Sequence, residues 1–324
     1  MPLEEAVAGS AESEAITLMK QRLSGFETEH GRLQGLAYQP SPTDVAITTT
    51  PKAGTTWMQQ ICHQLRTAGD MDFDEISSVV PWIELAADQG QDLQAVQWNT
   101  VAEAAGDVRL FKTHCWADHC PPFQRTIVVI RHPEDVLMSF YRFFEGWFFE
   151  PGTVSLDAFA DEFWLARGVP PCKMQNASYF VHLISWYKQR NNPGVMFVCF
   201  EDLKENLEHE VTRIARFLPT NARRYDDPAN IQTAVANSSF IFMKEHESQF
   251  DEHLSKLARN EACGLPKMAG MSQSKLKQGK VGAGKMELSQ QLRDKIWQKW
   301  KEVVEPVTGC ASYDELRQQL QKRK

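Results

Sequence analysis

No run of apolar residues approaches the ~18 that carry a helix across a bilayer, and no long basic block interrupts the chain. The first absence argues against a membrane span. The second argues against nucleic acid as a partner, together with a formal net charge of −7 from 35 basic and 42 acidic residues. Cysteine is sparse and odd in number, seven scattered residues without a framework, which points to reduced thiols and a cytoplasmic setting. The opening stretch MPLEEAVAGSAESEA is acidic and lacks the basic and apolar regions of a secretory signal. Repeats and low-complexity tracts are also missing.

What remains is ordinary globular composition, 42% hydrophobic and 24% charged over 324 residues. The length is compatible with two domains or with one large α/β domain. Residues 1–35 read as an N-terminal segment, partly flexible. In it Ile16, Met19 and Leu23 outline a weak amphipathic helix, either packed on the main domain or frayed. Residues 36–324 read as one domain.

The chain is organised around Val45–Trp57, VAITTTPKAGTTW. Val45 to Thr49 is short, apolar and β-branched, the signature of a buried strand. Pro51 ends it. Gly54 permits a tight turn, and Thr55 and Thr56 stand where caps are placed. Trp57, Met58, Ile61, Cys62 and Leu65 then recur at helical spacing. Strand, tight loop and helix, with Lys52 in the loop, make an anion site suited to phosphate. The usual nucleotide-binding loop, Gly, four residues, then Gly-Lys-Ser/Thr, is absent. Here the lysine precedes the only loop glycine, so the loop is P-loop-like.

Further strands are expected at 108–113, 126–130 and 195–200. The second of these is unbroken and β-branched, as in a strand covered on both faces. Helices are expected from Pro133 through Phe144, from a Ser155 cap through Phe159 and Phe163, and over 176–187, 203–217, 228–236, 288–303 and 313–320. The stretch 73–82 reads as irregular, and the glycine- and lysine-rich stretch 262–285 as a mobile basic loop. Alternating strands and helices predict an α/β fold, a central parallel sheet flanked by helices. Ligands in such folds sit beyond the carboxyl ends of the strands. Those ends carry Lys52, Lys112-Thr113-His114, Arg131 and Phe200-Glu201-Asp202.

These motifs, taken in order, resemble the cytosolic sulfotransferases. TPKAGTTW at 50–57 is similar to that family's sulfate-donor loop, and FKTH at 111–114 to its lysine-threonine-histidine motif. RHPEDVLMSFYRF at 131–143 is similar to its arginine-asparagine-proline motif. EPGT at 150–153, FEDLKEN at 200–206, SSFIFMK at 238–244 and KQGKVGAGK at 277–285 follow in the family's order. The resemblance covers residues 36–305. It implies 3′-phosphoadenylyl sulfate (PAPS) as donor co-substrate, no metal, and a small-molecule acceptor sulfated on oxygen or nitrogen. Residue by residue it implies that Lys52, Ala53, Gly54, Thr55, Thr56 and Trp57 hold the 5′-phosphosulfate, with Trp57 stacking the adenine. Arg131 and Ser139 would bind the 3′-phosphate. Ser238, Ser239, Phe240 and Met243 would line the adenine, and Lys277, Gln278 and Gly279 would close over the 3′-phosphate. Lys112 and His114 would face the transferring group.

Three departures stand out. The family's adenine-contacting tyrosine is Phe200 here, its arginine-lysine-glycine is Lys277-Gln278-Gly279, and its dimer motif is reduced to Lys285, Ser289-Gln290 and Asp294. A monomer or weak homodimer is therefore expected.

Chemistry read from the residues fits this. An attacking acceptor must lose a proton, and a histidine near pKa 6.5 suits that. His114 stands at a strand end and His119 is its rival. Lys52 is the cation for the leaving phosphate oxygen. The run from His114 to Cys120 contains two His and two Cys, but a structural zinc site needs a second ligand pair elsewhere. The aromatic run Phe143, Phe144, Trp147, Phe148 and Phe149, with Trp82, belongs either to the core or to an apolar acceptor pocket; Trp82, Phe144 and Phe148 are the pocket candidates. Two other readings compete: a kinase-like or NTP-hydrolysing enzyme, and a non-catalytic nucleotide-binding module. The first would place a metal-binding carboxylate at the end of an apolar strand, where this chain has Arg131-His132-Pro133.

Overall fold

A computed structural model describes residues 2–95, 108–219, 225–271, 282 and 287–322. Four parallel strands form the sheet: β1 (Val45–Thr49), β2 (Leu110–Thr113), β3 (Arg125–Ile130) and β4 (Val195–Cys199), in the order β2-β1-β3-β4. All five β1 residues are buried. Alternate strand residues serve opposite faces, as the two-residue period requires. Ile127, Val129, Met196 and Val198 pack into one core with Met58, Ile61 and Leu65, while Val128, Ile130, Phe197 and Cys199 pack into the other with Val136, Leu137 and Phe180. Helices on both sides follow from this double burial, as expected from the sequence.

The chain leaves β1 through a loop into helix α3 (Thr55–Thr67) and returns as β2 on one side; β3 then pairs on the other side of β1. The order reverses at β1, so a crevice opens beyond the carboxyl ends of β1 and β3. The N-terminal helices are α1 (Pro2–Ser24) and α2 (Glu29–Leu36). Of the two outcomes for Ile16 and Met19, packing is found: both are fully buried in the same core as Phe148 and Phe180.

Some local expectations are refined. Asn206 divides the helix expected over 203–217 into Phe200–Glu205 and Leu207–Phe217, because its side chain accepts from the His209 N–H and caps a new helix. Ser155 does cap, accepting from Ala158 N–H. The helix it starts becomes a π-turn over Ala160–Trp164, with Leu165 N–H bonded to the Ala160 carbonyl at 2.7 Å. The stretch 73–82 holds a short helix, Ile76–Val79. Among the described residues no helix is long and apolar enough to cross a membrane.

Candidate active site

A cavity of about 710 Å³ opens at the crevice. Its first wall is the loop between β1 and α3. Lys52 adopts φ +73 and Gly54 φ +109. A Cβ on Gly54 would meet the Phe200 ring at 2.8 Å, so the close approach requires glycine. Gly54 is also the N-cap of α3, and no side chain among the described residues caps this end. Thr55 and Thr56, expected as caps, lie inside the first turn instead. The uncapped N–H groups and the positive end of the helix dipole suit a phosphate or sulfate group. Thr55 Oγ1 sits 2.6 Å from Thr49 Oγ1. The Lys52 ammonium lies over the Phe143 ring at 4.0 Å.

The second wall is the end of β2. His114 is buried, and its Nδ1 lies 2.8 Å from the Thr49 carbonyl. A carbonyl only accepts, so Nδ1 carries the proton and Nε2 keeps a lone pair. Burial first, and then the Lys112 charge, hold the imidazole well below its usual pKa, so it is neutral at pH 7. Its backbone N–H donates to Glu84 Oε1 at 2.7 Å, and its ring meets the Trp82 ring edge-on at 5.0 Å. Residues 81–83 pair along the outer edge of β2, which places Trp82 there. Lys112 is buried and donates to Glu252 Oε1 at 2.7 Å, with its ammonium 3.9 Å from the Trp82 ring centroid. Glu252 takes a left-handed backbone, φ 61. The neighbouring Leu254 N–H holds it in place by bonding to Glu75 Oε2 at 2.7 Å.

The third wall begins at the end of β3. Arg131 packs over the Phe200 ring at 4.3 Å, and its Nε is buried with no partner among the described residues. The backbone here is held by Tyr179 Oη donating to the Arg131 carbonyl and by His132 N–H donating to Glu201. Ser139 lines the cavity from the next helix. Trp57 meets Phe200 edge-on at 5.3 Å and donates Nε1–H to the Ser238 carbonyl at 2.7 Å. Phe240, Met243 and Lys204 complete this slot. Ser239 caps the short helix Phe240–Glu245, while Ser238 Oγ is buried without a partner among the described residues.

Of the residues singled out in the sequence, the cavity gathers Lys52, Gly54, Thr55, Thr56, Trp57, Trp82, Lys112, His114, Arg131, Ser139, Phe144, Phe148, Phe200, Phe240 and Met243. Ala53, Ser238 and Ser239 are not on its lining. Lys277, Gln278 and Gly279 lie outside the described residues. His119 sits on a turn with its ring against Trp116 and does not line the cavity. Phe144 and Phe148 are at once core and cavity wall; Phe149 is core alone. Sequence reasoning missed Glu252, Lys204, Phe26, Glu27, Arg32 and Arg167. Glu252, Phe26 and Arg32 meet it through contacts distant along the chain, which a single sequence does not encode, while Lys204 lies within the FEDLKEN stretch without standing out there.

An uncapped helix start, an orphaned buried arginine donor and a neutral buried histidine around one cavity suit the binding of an anionic group and the removal of a proton beside it. Comparison with known proteins gives the family. The family model of the sulfotransferase domain matches residues 42–306, and the chain belongs to the sulfotransferase family, enzymes that transfer a sulfuryl group. Human sulfotransferase 1E1 is 28% identical over 224 residues, covering 65% of this chain and 70% of its own length. Dog sulfotransferase 1B1 is 28% identical over 221 residues, covering 64% and 69%. Two solved structures share the fold. Mouse sulfotransferase SULT7A1 complexed with PAP has a TM-score of 0.59 and 19% identity, covering 86% of this chain and 90% of that one. Retinol dehydratase complexed with androsterone and inactive cofactor PAP has 0.59 and 16%, covering 84% of each.

Proposed function

We propose that the protein transfers the sulfuryl group of PAPS to a hydroxyl or amine of a small, largely apolar acceptor, with His114 as general base. The observation that carries this reading is the His114 Nδ1 contact with the Thr49 carbonyl at 2.8 Å. It turns a lone pair away from the backbone and leaves a neutral base beside a cation-lined cavity. Family membership supplies the reaction, and PAP, seen with the solved relatives, is what PAPS becomes once its sulfuryl group has left.

The residues fit such a donor. The α3 N-terminus and Lys52 suit the 5′-phosphosulfate. Arg131, whose Nε lacks a partner, and Ser139 suit the 3′-phosphate. Trp57, Phe200, Phe240 and Met243 suit an adenine ring. The donor supplies an activated sulfuryl group and a phosphate leaving group. His114 Nε2 takes the acceptor proton as attack begins. Lys52 leaves the Phe143 ring and steadies the charge growing on the leaving phosphate oxygen, and Lys112 steadies the sulfuryl oxygens. Positioning and preorganised charge account for most of the rate, as in phosphoryl transfer. Trp82, Phe144 and Phe148 exclude water from the acceptor side.

The protein works in the cytoplasm as a monomer or weak homodimer, without nucleic acid or membrane. Its reduced cysteines, net negative charge and diminished dimer motif support this. A direct test is calorimetric titration with PAP and, in parallel, a screen of phenols, alcohols and amines with labelled PAPS. Micromolar PAP binding and label on at least one acceptor are expected. No PAP binding at millimolar concentration would refute the donor assignment.

A further inference from the structure

The part of the cavity wall built by α1, α2 and residues 163–176 carries charges that the transfer reaction does not use. Arg32 is buried, and its three nitrogens are taken: Nε by the Lys173 carbonyl, Nη1 by Glu27 and Nη2 by Asn176 Oδ1. Arg32 is thus fully engaged within the wall. Lys20 is paired with Glu162 at 3.5 Å. Arg167 is different. Nη2 donates to the Asn176 carbonyl at 2.9 Å and the guanidinium lies 5.4 Å from the Phe163 ring centroid. Nε and Nη1 have no partner, and no carboxylate forms an ion pair with it, among the described residues. Burial lowers its pKa to about 10, so it remains a cation at pH 7. The half-buried guanidinium lines the cavity, and the negative charge acting on it, that of Glu27, is shared with Arg32.

An aromatic wall connects it to the reacting end of the cavity. Phe163 touches Phe144, and Phe144 stacks on Phe148. Phe148 meets Phe26, Phe26 meets Trp82, and Trp82 meets His114. An apolar body lying on these rings, with its nucleophile at His114, ends among Glu27, Arg32 and Arg167.

We propose that the acceptor carries a carboxylate and that Arg167 binds it, so that the enzyme sulfates apolar hydroxy or amino acids in preference to their neutral analogues. This rests on the sulfuryl-transfer reading above and adds the acceptor class. With one Nη2 N–H held by the Asn176 carbonyl, the remaining N–H groups of the guanidinium can give a carboxylate charge-assisted hydrogen bonds.

Three phenols of matched shape test it: 3-(4-hydroxyphenyl)propionate, its methyl ester, and tyramine. In the wild-type enzyme kcat/KM for the acid should exceed that for the ester by about 10- to 100-fold, the worth of one or two charge-assisted hydrogen bonds. Arg167→Met should bring acid and ester to within about threefold of each other, leaving the ester and PAP affinity unchanged, while Arg167→Lys restores part of the preference. The same ranking is expected for quenching of Trp82 and Trp147 fluorescence in PAP-saturated enzyme. Binding with that ranking but without transfer would uphold the anion site and refute the transferase reading. A wild-type preference for tyramine would assign the subsite to Glu27 and overturn the proposal. An equal loss on all three phenols, weakened PAP binding in Arg167→Met, or no binding of the acid would overturn it as well.

Discussion

Lys112 Nζ and Glu252 Oε1 meet at 2.7 Å in the cavity wall, joining residues 140 positions apart in the chain. One of the site's cations is thus compensated before any donor arrives. Glu252 holds this position from a left-handed backbone, a conformation that costs about 1 to 3 kcal/mol unless the surroundings enforce it. A buried ion pair so placed keeps Lys112 aimed at the cavity and tempers its affinity for anions.

Glu252→Gln is therefore expected to tighten PAP binding by several-fold, because an anion beside the donor site is removed. It should also destabilise the fold. Breaking a buried pair costs about 3–5 kcal/mol, less here because the cavity admits water. Calorimetry with PAP and a thermal melt measure the two effects. Weaker PAP binding in a folded Glu252→Gln protein would contradict the arrangement.

Stability should decline on acidification below about pH 6.5, the ordinary histidine value. His63, His114 and His182 are all buried and all held below it by burial; His182 is pushed down to about 3. Their folded forms bind fewer protons than their unfolded forms between the two pKa values, so stability is lost as pH falls through that window. Each contributes up to about 1.4 kcal/mol per pH unit. Glu27 opposes them: burial raises it to about 7, so its contribution is present below the unfolded carboxylate value and is lost as pH rises towards 7. The three buried histidines stand against Glu27 and against the partly exposed His253, which hydrogen bonds to Asp251 and Asp74 raise against burial, so denaturant melts at pH 7, 6 and 5 should show falling midpoints. A flat profile would show that the histidines are not buried neutral.

Donor choice is the next prediction. Only the 3′-phosphate distinguishes PAPS from adenylyl sulfate, and the unpartnered Arg131 Nε is placed to read it. Two or three charge-assisted hydrogen bonds, discounted for non-additivity, correspond to a preference of about 10²- to 10⁴-fold. Arg131→Ala should erase most of it while barely changing the weak binding of adenylyl sulfate. Equal wild-type affinities for the two donors would remove the 3′-phosphate site from the account.

Much of this site could be read in the sequence because its parts are local. Val45–Thr49 and Thr126–Ile130 are β-branched runs that only a doubly covered strand explains, and Pro51 and Gly54 punctuate the loop between β1 and α3. The ends of those strands then brought Lys52, His114 and Arg131 together by topology. Where the reading failed, the determinant lay elsewhere. Thr55 looked like a cap, but its hydroxyl is engaged by Thr49, and the open N-terminus is what an anion site needs. Nothing in the local pattern at Asn206 distinguished a helix break from a polar residue on a helix face. Glu252 and Arg167 acquire their meaning from Lys112 and from the cavity they line, relationships visible only once the chain is folded.

The central claim is that a neutral His114 takes the acceptor proton during sulfuryl transfer from PAPS. The most direct measurement is transfer of labelled sulfur from PAPS to a phenol in the presence of a chelator, comparing wild type, His114→Ala and His119→Ala, with PAP affinity measured for each. The account predicts transfer that survives the chelator and a loss of about 10²- to 10⁴-fold in His114→Ala at unchanged PAP affinity, the usual worth of a general base, with little effect in His119→Ala. A larger loss in His119→Ala than in His114→Ala, or collapse of PAP binding with His114, would contradict it.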